Sequence, residues 1–97
     1  MDMESLMAQA QDLQAKIAEA QDSLSNMQVK GIAQNGAVIV AMTGKYDVLS
    51  VVIRPEALSF GAETVSKLVT DAMKDAKSKA DVLIDKVMSE VTGGLSE

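Results

Sequence analysis

Lys67, Lys74, Lys77, Lys79 and Lys86 crowd one C-terminal segment, interleaved with Asp71, Asp75, Asp81 and Asp85. A row of ammonium groups could neutralise phosphates, and carboxylates four residues apart could share a proton or hold a cation. The spacing also suits plainer chemistry. Glu63 to Lys67 and Asp75 to Lys79 are i,i+4 pairs that would line a solvated helix face with weak ion pairs. The aspartates have lysine neighbours and no imidazole or loop ligand beside them, so ion pairing accounts for them better than metal binding. The chain has no Cys and no His, which removes the thiolate nucleophile, the commonest general base and the commonest metal ligand. Met3, Met27, Met73 and Met88 fall at helical core positions, where a flexible thioether fills gaps. Gly31, Gly36 and Gly44 read as turn residues, since no glycine-rich loop leads from a strand into a helix. With Tyr46 and Phe60 the only aromatic residues, there is no stacking platform for single-stranded nucleic acid. No catalytic residue, cofactor or metal is expected.

The elements that must position these side chains read as one α+β domain over residues 1–97: helix, three-stranded antiparallel sheet, helix (α-β-β-β-α). The first helix is expected over about 2–27. Its apolar positions Met3, Leu6, Ala10, Leu13, Ile17, Ala20, Leu24 and Met27 alternate by three and four, the pattern of a coiled-coil seam that needs a partner along its length. Lys30-Gly31 is expected to end it. Strands are expected over about 29–34, 37–43 and 46–54, the first two joined at Asn35-Gly36 by a type I′ turn and the last two at Gly44-Lys45. Val38, Val40 and Met42 would share one face of the second strand. In the third, Tyr46, Val48 and Val52 would share one face and Leu49, Val51 and Ile53 the other. Arg54-Pro55 stops that strand, a linker follows, and a second helix is expected over about 62–91. Its stripe includes Ala72, Ala76 and Ala80, small enough for close approach, and Thr92-Gly93-Gly94 would cap it.

A third strand that is apolar on both sides is seldom left with one face in water. A chain of 97 residues with 47% hydrophobic content also finishes near zero when burial is set against chain entropy. Both facts point to a homodimer, with Val38, Val40, Val48, Val51, Val52 and Ile53 as its candidate interface. No apolar run is long enough to span a membrane, and Asp2 and Glu4 stand where a secretory signal would be basic. A cytoplasmic protein is expected.

A succession of motifs resembles the YbaB/EbfC family over nearly the whole chain. These are Leu6-Met7-Ala8-Gln9-Ala10-Gln11 with Leu13-Gln14-Ala15-Lys16, then Val29-Lys30-Gly31, Gly36-Ala37-Val38, and Gly44 before a valine-rich strand. Ile53-Arg54-Pro55-Glu56-Ala57-Leu58, Leu68-Val69-Thr70-Asp71-Ala72 and Thr92-Gly93-Gly94-Leu95 complete it. Arg54 departs from the pattern, which usually has Asp before the strand-ending proline. The resemblance implies a bacterial nucleoid-associated protein, an intertwined homodimer with projecting helical arms, binding duplex DNA with little sequence specificity for nucleoid organisation or gene regulation. It implies no catalysis and no cofactor. Lys16, Lys74, Lys77 and Lys79 are then the candidate phosphate contacts, with Lys30, Lys45 and Arg54 as further ones.

Charge opposes that implication. Nine basic residues against fourteen acidic ones give a net charge of −5, the wrong sign for a partner bound through phosphate neutralisation. The alternative is an acidic protein–protein interaction module on the same fold, with weak or no direct DNA binding.

Overall fold

A computed structural model describes residues 2–93. The first helix, α1, spans Met3–Asn26. Its start is fixed by Asp2, whose carboxylate accepts the Ser5 backbone N–H at 2.8 Å, filling one of the donors that a helix leaves unpaired at its beginning. Its end is not made by Lys30-Gly31. The chain leaves the helix at Met27, and the Gly44 N–H bridges the Leu24 and Met27 carbonyls at 3.0 and 3.2 Å, so a distant loop satisfies the last turn.

Gly31 instead lies inside strand β1, Gln28–Ala33, and its role is steric. A Cβ at this position would stand 1.9 Å from the Ala72 carbonyl oxygen and 2.7 Å from the Ala76 Cβ. Only hydrogen on the strand and methyl groups on the facing helix allow so close a contact. That helix is α2, Ala62–Gly93, and its alanines do permit the expected approach. The Gly94 cap expected from the sequence lies outside the described residues.

β2, Val38–Thr43, is central, with β1 and β3, Val48–Ile53, antiparallel on either side. Between β1 and β2 the pairing closes at Ala33 and Val38, so the turn holds four residues and is not the two-residue type I′ turn. Gln34, Asn35 and Gly36 take φ of 50°, 55° and 94° in succession. Ala37 stays out of the ladder with β1, and its carbonyl accepts the Arg54 N–H at 2.9 Å.

Between β2 and β3, Tyr46 is not a strand residue. It has φ of 68°, in a loop that Thr43 knits together by accepting the Lys45 and Asp47 N–H groups on its hydroxyl. The register then shifts, with Ala41 opposite Ser50 and Met42 opposite Val48, leaving Leu49 as the extra residue of a bulge. The bulge moves Val48 to the face carrying Val51 and Ile53, which lie opposite Val40 and Val38; only Val52, opposite Ile39, keeps the other side.

After Pro55 the expected linker is a 3₁₀ segment, Pro55–Phe60, that buries Ala57 completely. The core lies between α2 and one face of β1 and β2, where Ala33, Val38, Val40 and Met42 meet Leu68, Ala72, Ala76 and Ala80. Val38 and Val40 have no exposed surface. The molecule is elongated, 68 × 19 × 16 Å with a radius of gyration of 19.0 Å, against about 13 Å for a compact chain of this length. α1 and the C-terminal half of α2 form the projecting part, with Lys16, Glu19, Ala20 and Ser23 of α1 and the following Met27 lining a shallow groove with Val87, Glu90 and Val91.

Candidate nucleic-acid interface

Both outer strands of a three-stranded sheet present unpaired backbone groups, and this chain treats its two edges differently. At β1 an i,i+4 pair on α2 reaches over the strand. The Asp75 carboxylate accepts the Ile32 N–H at 2.9 Å, and the Lys79 ammonium donates to the Lys30 carbonyl at 2.7 Å while pairing with Asp75 at 3.0 Å. A donor and an acceptor of the edge are thereby occupied by side chains, a common device against edge-to-edge association. The same bonds hold the Asp75 carboxyl below the usual carboxylate range, the Ile32 N–H contributing most and Lys79 next.

β3 has no such cover. α2 lies over β1 and β2, all six β3 residues are exposed, and Val48, Leu49, Val51, Val52 and Ile53 each expose between 37% and 55% of their surface. Its outer edge has no strand beside it. Of the six residues expected at a dimer interface, the structure brings Val48, Val51 and Ile53 together on one face of β3 and Val52 onto the other. Val38 and Val40 stand apart from them. The chain's own second helix encloses both, so they offer no surface to another molecule.

The lysines expected to touch phosphate do not form one cluster. Lys16 pairs with Asp12 at 3.1 Å on α1. Lys77 pairs with Asp81 at 3.5 Å and stands 5.7 Å from the centre of the Tyr46 ring. Lys79 is committed to the β1 edge. Lys74, which shares an apolar cleft with Met42, Tyr46, Thr70, Met73 and Lys77, makes no ion pair among the described residues, and neither do Lys30, Lys45 and Arg54. The i,i+4 spacing thus forms at Asp75–Lys79 and not, among the described residues, at Glu63–Lys67.

The Asp71/Asp75 and Asp81/Asp85 pairs divide in the same way. Asp75 serves β1, and Asp81 accepts a hydrogen bond from the Tyr46 hydroxyl. That bond is the main cause of a lowered Asp81 pKa and a raised Tyr46 pKa, with desolvation and then the negative charges of Asp81 and Asp85 also raising the latter. Sequence reasoning missed Asp75 as an edge clamp and Tyr46 as a loop anchor, because both partners lie more than thirty residues away in the chain.

Charge is distributed by region. Residues 27–81, the sheet and the part of α2 lying on it, hold seven basic and six acidic side chains; residues 2–26 and 82–93, the projecting helices, hold two and seven. Basic groups without an acidic partner therefore concentrate on the sheet end.

Comparison with known proteins agrees with this architecture. The profile of the YbaB/EbfC DNA-binding family matches residues 1–95. A nucleoid-associated protein of Gloeothece citriformis is 44% identical over 87 residues, covering 90% of this chain and 76% of that one. A nucleoid-associated protein of Rippkaea orientalis is 39% identical over 95 residues, covering 98% and 83%. The crystal structure of the uncharacterized protein HP0035 from Helicobacter pylori superposes with a TM-score of 0.84 over 95% of this chain and 98% of that one, at 13% identity, a likeness of fold.

Proposed function

This chain belongs to the YbaB/EbfC DNA-binding family, and from that premise we propose that it is a nucleoid-associated protein that binds duplex DNA as a homodimer with little sequence specificity. The observation that carries the dimer is β3, an edge strand bare on both faces beside a β1 edge closed by Asp75 and Lys79. A second copy supplies the missing cover through Val48, Val51, Val52 and Ile53. Burying such side chains contributes about 1.5–3 kcal/mol each, a large gain for a chain with so small a core.

For the DNA contact, family membership supports duplex DNA as the ligand and the charge distribution favours the sheet end. Lys74, with Lys30, Lys45 and Arg54, is available for phosphate without breaking an ion pair. The pairs of Lys16 and Lys77 are exposed, and exposed pairs of this kind are worth about 0–1 kcal/mol, so a phosphate oxygen can compete for either ammonium. Lys79 is the least available, since leaving the Lys30 carbonyl would reopen the β1 edge. The contacts are backbone contacts that position the protein without reading bases, which accounts for the low specificity. The site of action is the nucleoid in the cytoplasm; no helix among the described residues is long and apolar enough to cross a membrane. The proposal includes no catalytic step and no cofactor.

Sedimentation velocity of the protein alone and with a duplex of about 30 base pairs tests this reading. A free species of twice the chain mass, and a DNA complex that contains chains in pairs, is the expected result. A monomer, or a duplex that sediments unchanged at low salt, contradicts it.

A further inference from the structure

The outward backbone groups of β1 include those of Lys30 and Ile32, and α2 occupies one from each: Asp75 takes the Ile32 N–H at 2.9 Å and Lys79 the Lys30 carbonyl at 2.7 Å. In a parallel ladder, the carbonyl of residue i−1 and the N–H of residue i+1 bond to a single residue of the neighbouring strand. The two side chains therefore stand where one residue of a parallel neighbour, opposite Gly31, would stand. On β3 the Arg54 N–H turns inward to the Ala37 carbonyl, so alternation turns the N–H and carbonyl of Val51 and Ile53 outward, with no strand beside them. β3 carries neither charge nor proline, two usual protections of an edge. Each of β1 and β3 is antiparallel to β2, so they run parallel to each other. The β3 of one copy thus matches the β1 of the next, and the contact can repeat without closing. Displacement by three strands sets successive α2 helices about 14 Å apart, wider than the roughly 8–10 Å at which helices pack, so the helices do not prevent it.

We propose that Asp75 and Lys79 act as an assembly stop: they close β1 to the β3 edge of a second copy and so exclude a head-to-tail, strand-paired filament. Head-to-tail contacts that do not close on themselves grow as open fibres, whereas a chain with one edge shut is confined to closed assemblies. The stop is a property of the sheet edge alone. It needs no DNA, and it holds whether the chain's resting state is one copy or two.

Sedimentation velocity of the full chain across a range of concentrations tests it. The parent gives one species, and its mass, whatever it is, serves as the baseline, so failure of the dimer reading and failure of the stop are seen separately. Asp75→Ala with Lys79→Ala gives a series of species at successive multiples of the baseline, growing with concentration to at least fourfold the parent mass. Adding Ile32→Pro removes an outward N–H that the neighbouring strand needs and no bond of the β1–β2 ladder, and returns the chain to the baseline. Circular dichroism checks that each variant keeps its helices. Should the double variant lose them, Lys79→Met, which keeps the aliphatic stem and leaves Asp75 on Ile32, is read in its place and must show the series. A folded opened variant that stays at the baseline, association that stops at twice the baseline, a series that survives Ile32→Pro, or a parent that already forms the series overturns the proposal.

Discussion

Gly31 shows how one residue can set the distance between two layers. Its missing Cβ lets α2 rest directly on β1, and Gly31→Ala forces a methyl to 1.9 Å from the Ala72 carbonyl, where backbone must move. The expected cost is about 3 kcal/mol, the upper part of the range for overpacked cores, read as a lowered urea midpoint. Asp75 tests a different force. Its folded pKa lies below the unfolded value of 3.8, so its stabilisation is complete above that value and is lost as pH falls through the folded one. Asp75→Ala, which removes the acceptor for the Ile32 N–H, should lower stability by about 1 kcal/mol at neutral pH and flatten the acid limb of a stability profile as pH falls below the unfolded carboxylate value of 3.8. Asp75→Asn keeps a carbonyl acceptor and should fall between the variant and the parent. An unchanged acid limb in Asp75→Ala would show that the clamp contributes nothing.

At the scale of elements, the two helices and the central strand were legible from periodicity: the alternating Val38, Val40 and Met42 of β2 are buried where the sequence puts them, and the three-four seam of α1 marks the helix although only Ala20 and Leu24 of it are buried in the chain. The apolar character of β3 also survived, its valines, leucine and isoleucine half-exposed in a single chain. What periodicity could not show was anything that depends on a partner far along the chain. The bulge at Leu49 reverses the side of Val48, and no local pattern marks it. Glycine at 31 and 44 signals a turn in a one-dimensional reading; Gly44 does stand in a turn, packed against Leu24, whereas Gly31 lies inside β1 and serves close approach to Ala72. The candidate site was half legible: of the residues expected at an interface, those of β3 are exposed in the chain, while Val38 and Val40 are enclosed, because strand alternation does not say which face the chain's own helix takes. β3 gives the element-scale prediction. Val51→Lys places a charge in the proposed interface on a residue already exposed in the chain, and should convert the dimer to monomer by sedimentation equilibrium at micromolar concentration. A dimer of undiminished mass would place the interface elsewhere.

At the scale of the whole molecule, an elongated shape separates two regions of opposite electrostatic character. The sheet end holds the basic groups without acidic partners, and the helical projection is acidic, so the net charge of −5 describes neither region well. Lys45→Ala with Lys74→Ala should therefore weaken duplex binding more than Lys16→Ala with Lys86→Ala, each lost phosphate contact reducing the salt slope by about 0.9. Equal effects of the two double variants would mean that the sheet end is not the contact surface. The central claim is that this acidic chain nevertheless binds duplex DNA through phosphates. Anisotropy of a labelled duplex of about 30 base pairs, titrated with protein of verified mass at several salt concentrations, tests it most directly. The account predicts binding whose logarithmic affinity falls linearly with the logarithm of salt concentration, with a slope of several units. An absence of binding at the lowest salt, or an affinity indifferent to salt, would contradict it.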